Sequence, residues 1–255
     1  MLRHFRIRRE AILAIAGLAM VWQAASYFFP PYLFPSILAI ADSLVKIFAS
    51  AELLGDAAAT ALRILAGLAG AFVLGVLFAI AMAKSERANN YLFPILHFNQ
   101  GIPALSWVVI SIIWFKTIEF RIWFIMVVTT LPAFAFQVLD AYRSISKDLH
   151  EMALSFRPTR YDMFRTIVLP TVFPGILTAW KVNLGNASRV VVVAELVGAT
   201  GGVGYQLLQT QQLFDMAGAL AWTLMLVLFV LITQQIITAI ENHVLRYRAQ
   251  SERGL

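Results

Sequence analysis

Six polar or charged residues within one apolar stretch hold most of the chemistry this sequence offers. Lys181, Asn183, Asn186, Ser188, Arg189 and Glu195 are spread among leucine, valine and alanine over residues 167–198. Polar side chains in such a frame are costly to bury in lipid and usually face a cavity or a partner helix. Arg189 has the sharpest requirement, because a guanidinium keeps its charge in any protein environment. It calls for a carboxylate, backbone carbonyls, water or an anionic ligand, so two readings stand: attraction of a passing oxyanion or carboxylate, and structural pairing. An internal pair with Glu195 meets an obstacle, since six residues turn a helix through about 600° and send the two side chains to different faces. A pair between subunits does not meet it.

A second polar cluster, His97, Asn99 and Gln100, interrupts the apolar run 91–115 and is followed by Gly101, Pro103, Trp107 and Trp114. A helix starting near Tyr91 would carry this cluster roughly 9 to 14 Å into a membrane. That depth suits a gate or the lining of a pathway. The structural alternative is a kink at Pro103 whose freed backbone groups are satisfied by neighbouring side chains. The candidate pathway residues are therefore Asn99, Gln100, Pro103, Trp107, Asn183, Asn186, Arg189 and Glu195, with Trp114 read as an outer interface anchor. None of this is catalytic chemistry. There is no cysteine, the four histidines are scattered without an H-E-x-x-H pattern, and no phosphate-binding G-x-x-x-x-G-K-[ST] run occurs. Any ATP-driven process would need another polypeptide to bind the nucleotide.

The elements that must position these groups include one polar insertion between apolar segments, residues 141–166. Asp148 and Glu151 have the spacing of a capping box that opens a helix. Leu149, Met152 and Phe156 then give it one apolar stripe. Pro158 ends it and biases Arg157 away from the helical region. Thr159, three before Asp162, caps a second helix that runs through Met163 and Phe164 toward the apolar span near Ile167. A helix, a sharp break and another helix with an uncovered stripe describe a docking element.

This loop resembles that of the permease subunits of binding-protein-dependent ABC importers, which carry a Glu-Ala-Ala signature, a later Gly and an Ile-x-Leu-Pro ending. Glu151, Met152 and Ala153 hold the first three places, and Ile167, Leu169 and Pro170 the last. Met152 replaces the first Ala and Arg157 the Gly. A Gly there suits a left-handed turn, which an arginine before proline is expected to resist. Val193-Ala194-Glu195 and Gly201-Gly202-Val203-Gly204-Tyr205 resemble the nitrate, sulfonate and taurine branch.

The resemblance implies an all-α, polytopic membrane protein with six transmembrane helices in the type I ABC importer permease fold, a single domain over 1–255. It implies a permease dimer of two identical copies, two ATPase subunits and an external, periplasmic substrate-binding protein. The ATPases would dock on the loop through Asp148, Leu149, Glu151, Met152, Ala153, Phe156, Arg157 and Pro158, with Leu169 and Pro170 passing the motion on. ATP and Mg would be bound by the ATPase and no cofactor by this chain, and the substrate would be a small organic or inorganic anion. The competing class is an ion-coupled secondary carrier or channel, favoured by a charged fifth span and a broken third but leaving the insertion without a task.

Composition agrees with a membrane protein. Hydrophobic residues make up 60% of 255 and charged residues 13%, with a mean hydropathy of +0.76. Apolar runs of bilayer length fall at 11–29, 61–83, 91–115, 123–140, 167–198 and 217–240. Residues 30–56 read as an interfacial segment on the outer face. Arg3, Arg6, Arg8, Arg9, Lys84, Arg87, Arg143, Lys147, Arg157, Arg160, Arg165, Arg246, Arg248 and Arg253 fall on one face, against Lys46, Lys116 and Arg121 on the other, with Arg63 near the outer end of the second span. By the positive-inside rule the insertion and both termini are expected to be cytoplasmic, and the resemblance implies a bacterial inner membrane. The net charge of +6 then reflects topology and calls for no nucleic acid.

Overall fold

A computed structural model describes residues 9–244. Arg3, Arg6, Arg8, Arg246, Arg248 and Arg253 lie outside the described residues, as do the side chains of Arg9 and Lys147. In chain order the helices are α1 Arg9–Phe28, α2 Ile37–Ala49, α3 Ala51–Lys84, α4 Glu86–Gly101, α5 Ala104–Trp114, α6 Ile118–Arg143, α7 Lys147–Ser155, α8 Arg160–Met163, α9 Leu169–Gly198, α10 Val203–Gln212 and α11 Met216–Val244. A π-helical turn, Phe164–Val168, joins α8 to α9 without a break.

Among the described residues, four helical segments are long and apolar enough to cross a bilayer: Ala51–Lys84, Ile118–Arg143, Arg160–Gly198 and Met216–Val244. The expected third span is not one helix: α4 and α5 meet at Ile102 and Pro103 with a bend of 96°, so at most they make one broken span. Pro103 lacks an amide proton and disfavours a helical residue before it, which places the break. The expected first span is the apolar helix Ile12–Phe28, shorter than the other four. It joins the rest near its C-terminal end, where the Trp22 indole donates to the Pro35 carbonyl at 3.0 Å and the Ile37 amide donates to Gln23 at 3.1 Å. The expected outer segment divides into α2, which buries Ile40 and Ile47, and the first turns of α3.

The core is the packing of α3 on α6 and of α6 on α9. Ile64 and Leu68 of α3, Ile125, Met126 and Phe134 of α6, and Leu184, Ala187 and Val191 of α9 are buried there. With no solvent contrast between lipid and leucine, such helices associate through close fit. Gly75 supplies it, since a Cβ there would stand 2.8 Å from the Cβ of Phe134. Pro132 and Pro174 sit inside α6 and α9.

At the end of α9 remote from α7, one face of α3 receives the glycine turn. Asp56, Thr60 and Arg63 follow at spacings of four and three residues and so lie one above the other. Asp56 accepts the Gly202 amide at 2.8 Å, Thr60 accepts the Val203 amide at 2.8 Å, and Arg63 donates to the Gly201 carbonyl at 2.8 Å. Glu195, fully buried, completes the set: it accepts from Thr60 at 2.9 Å, from Arg63 at 2.7 Å and from the Gly204 amide at 2.8 Å. The other edge of Arg63 reaches Glu119 of α6 at 2.9 Å. Gly202 has φ 114°, and a Cβ on it would lie 2.5 Å from a Glu195 oxygen. Gly202→Ala should therefore destabilise the protein by about 2 kcal/mol or more, and Glu195→Ala by about 3 to 5 kcal/mol because Arg63 loses its buried partner. Thermal unfolding of the purified variants measures both, and melting like the parent would refute this account of the turn.

Candidate translocation cavity and coupling surface

A cavity of about 960 Å³ opens between the α4–α5 break, α6, α9 and α11. It gathers six of the eight residues singled out for a pathway: Asn99, Gln100, Pro103, Asn183, Asn186 and Arg189. They do not play one role. The Asn99 amide donates to the Val128 carbonyl at 2.7 Å. That carbonyl lies four residues before Pro132, whose missing N–H leaves it without its helical donor. Asn99 is thus a brace for the kinked α6. Asn183 is buried, donating to the Ala179 carbonyl at 2.9 Å and to Gln137 at 3.2 Å; it fixes the face that Gln137 shows to the cavity. Gln100, Asn186 and Arg189 are exposed to it. Arg189 has no hydrogen bond or ion pair among the described residues, so its charge is left for whatever enters.

Two candidates lie elsewhere. Trp107 packs edge-on against Phe124, ring centroids 6.0 Å apart, and Glu195 belongs to the Arg63 site. Arg189 and Glu195 do not pair, as their angular separation requires. His97 lies between the rings of Phe93 and Phe136 at 4.5 and 4.7 Å. The sequence reading left out Gln137, Gln234, Gln235 and Thr238, which also line the cavity. The adjacent glutamines of α11, polar within an apolar span, carried the signal that would have found them.

The loop expected over 141–166 forms the helix pair. The N-cap of α7 is Ser146, whose hydroxyl accepts the Leu149 amide at 3.2 Å, and not the Asp148–Glu151 box. Serine caps as well as aspartate does, and Asp148 falls in the first turn, where its charge favours the helix dipole. The second box is as expected: Thr159 accepts the Asp162 amide while Asp162 accepts the Thr159 amide. Arg157 corrects the expectation for its backbone, with φ 50°. Proline next door already disfavours the right-handed region. The chain must also reverse here, so Arg157 takes the left-handed cap that a glycine would, its amide bonded to the Leu154 carbonyl at 2.9 Å at a cost of roughly 1 to 2 kcal/mol. Met152 is 55% and Phe156 80% exposed, Leu149 half-buried and Ala153 buried. Among the described residues nothing covers the Met152 and Phe156 part of the apolar stripe.

Residues 71–246 match the family described as binding-protein-dependent transport system inner membrane component. The chain belongs to this family. This permease is 28% identical over 243 residues to the formylaminopyrimidine transport permease protein ThiX of Halalkalibacterium halodurans, covering 94% of this chain and 96% of that one. It is 27% identical over 209 residues to the taurine transport system permease protein TauC of Escherichia coli, 78% and 76% covered. To the putative aliphatic sulfonates transport permease protein SsuC of Bacillus subtilis it is 25% identical over 219 residues, 86% and 79% covered. Among solved structures, an amino acid ABC transporter crystallised with histidines superposes with a TM-score of 0.63 at 11% identity, covering 74% of this chain and 92% of that one. The MetNI methionine ABC transporter, in an inward-facing form, gives 0.51 at 20% identity, with 83% and 94% covered. The permease thus has the all-α, polytopic fold of ABC importer membrane subunits. It is a non-catalytic component that works with an ATPase and a binding protein. The division of the cavity residues predicts that Arg189→Gln melts within about 0.5 kcal/mol of the parent, whereas Asn183→Leu costs about 1 to 3 kcal/mol by stranding Gln137; chemical denaturation in detergent compares them.

Proposed function

We propose that this permease conducts a small anionic solute, of the sulfonate, taurine or related oxyanion class, from an external binding protein into a bacterial cell. The observation that carries the reading is Arg189, a cation with no hydrogen bond or ion pair among the described residues, facing a polar cavity of about 960 Å³. Relatives described as taurine and aliphatic sulfonate permeases support it. The binding protein would select the solute, and the cavity need only tolerate and attract it.

Transport is powered elsewhere. Two ATPase subunits, which bind ATP and Mg, dock on α7 and α8 of two identical permease chains, with Glu151 in α7 at the contact and Met152 and Phe156 covered by the ATPase. Their closure moves the helix pair, and the π turn and α9 carry that motion past Leu169 and Pro170 to the cavity wall. The exposed apolar side chains of α1, Ile12, Leu13, Leu18 and Val21, support burial against lipid or the second copy. Both termini and the α7–α8 loop are cytoplasmic in this reading, which the arginine distribution in the sequence supports. The physical content is a bistable membrane dimer biased by nucleotide and by the loaded binding protein.

Two measurements test this. Purified from native membranes with a tag, the chain should bring a P-loop ATPase at a ratio near one to one, and Glu151→Arg should abolish that copurification while the permease still extracts and melts normally. Normal copurification and uptake would remove the docking assignment. With the cognate ATPase and binding protein in proteoliposomes, Arg189→Gln should lower anion uptake on the order of tenfold; uptake equal to the parent would remove the role of Arg189. A pure permease that moves solute without ATP would favour the secondary carrier.

A further inference from the structure

The cavity holds a second cation, and the following rests on the anion reading above. Lys181 lines the same wall as Arg189, eight residues earlier on α9, which is about 12 Å nearer the coupling end. Its ammonium is paired with Glu241 of α11. Glu241 follows Gln234 and Thr238 at spacings of four and three residues, so it continues the face of α11 that lines the cavity. The two side chains are 28% and 29% exposed, open enough for a small ion to compete for the lysine. No carboxylate is among the described residues lining the cavity.

Ionisable groups inside membrane spans are expensive and are seldom kept for packing alone. A conducting pathway must also bind its ion weakly enough to release it. An unpaired Lys181 on the inner side of Arg189 would offer an incoming anion a second charged site just before the exit. We propose that Glu241 is a positioning residue that occupies Lys181 and so keeps the inner end of the cavity from retaining the anion. Glu241 acts through Lys181 and does not touch the solute.

The test uses the assembled permease and ATPase in lipid nanodiscs, with methanesulfonate as the probe titrated against chloride at constant ionic strength and binding followed by thermal stabilisation. Glu241→Gln should bind methanesulfonate about tenfold more tightly than the parent, and adding Lys181→Gln should return it to the parental value. The exchange K181E/E241K, which keeps the pair, should match the parent and decides the matter should E241Q alone fail to assemble. An E241Q response equal to the parent's, a gain that survives removal of Lys181, or an exchange variant that differs from the parent would each overturn the role of Glu241. A merely structural ion pair would change the melting temperature without changing its dependence on methanesulfonate. If neither the parent nor E241Q responds to the probe, the anion reading of the cavity falls; if R189Q alone abolishes the response and E241Q gains nothing, only Glu241 loses its role.

Discussion

A carboxylate with no access to water has to collect its hydrogen bonds from the protein, and Glu195 does so from two segments, α3, far from it in sequence, and the start of α10, close to it. Thr60 and Arg63 come from α3, the Gly204 amide from the first turn of α10, and Arg63 reaches on to Glu119 of α6. An ion pair buried this deeply gives little net stability compared with an apolar substitute, but losing one partner is severe. Its value here is geometric. The end of α9 beyond the cavity is pinned in register against α3, so the rotation of Arg189, six residues earlier on the same helix, is fixed as well.

The opposite end of the molecule is built in the contrary way. The helices α7 and α8 are defined by local devices, the Ser146 cap, the left-handed Arg157 and the reciprocal Thr159–Asp162 pair, and they leave their apolar side chains uncovered. Between these ends, the cavity wall mixes committed and uncommitted polar groups. Asn99 and Asn183 spend their amides on the protein, whereas Gln100, Asn186 and Arg189 do not. A bend of 96° between α4 and α5 brings backbone irregularity to the same place, where a polar cavity can tolerate it.

Much of this was legible in the sequence because it rests on local signals. Polar residues in apolar runs marked most of the cavity, and Thr159 and Asp162 announced their cap. What stayed hidden depended on distant partners. Glu195 looked like a pathway residue because Arg63, 132 positions away, is far off in sequence. Asn99 looked like a pathway-lining residue because its partner carbonyl is freed by a proline on another helix. Ser146 and Asp148 are both competent caps two residues apart, and only the entry angle of the chain chooses between them. The sequence offered a kink at Pro103 as the alternative reading of a single third span, but the size of the bend depends on packing against α6 and α9 that no local pattern encodes.

The π turn at Phe164–Val168 has a consequence for angular phase. Pro170 cannot donate to the carbonyl of Thr166 and crowds it, and the helix widens there, with the Leu169 amide reaching back five residues to Phe164. One residue more than an α-helical turn needs is thereby absorbed, and each residue is worth about 100° of rotation. Everything after the turn is therefore clocked by that amount relative to α8. Lys181, Asn186 and Arg189 face the cavity, while α8 keeps its own orientation, because five residues stand where four would otherwise serve. At this junction the count of residues matters more than their identity: the segment works as a spacer in angle, setting which side of α9 faces the cavity.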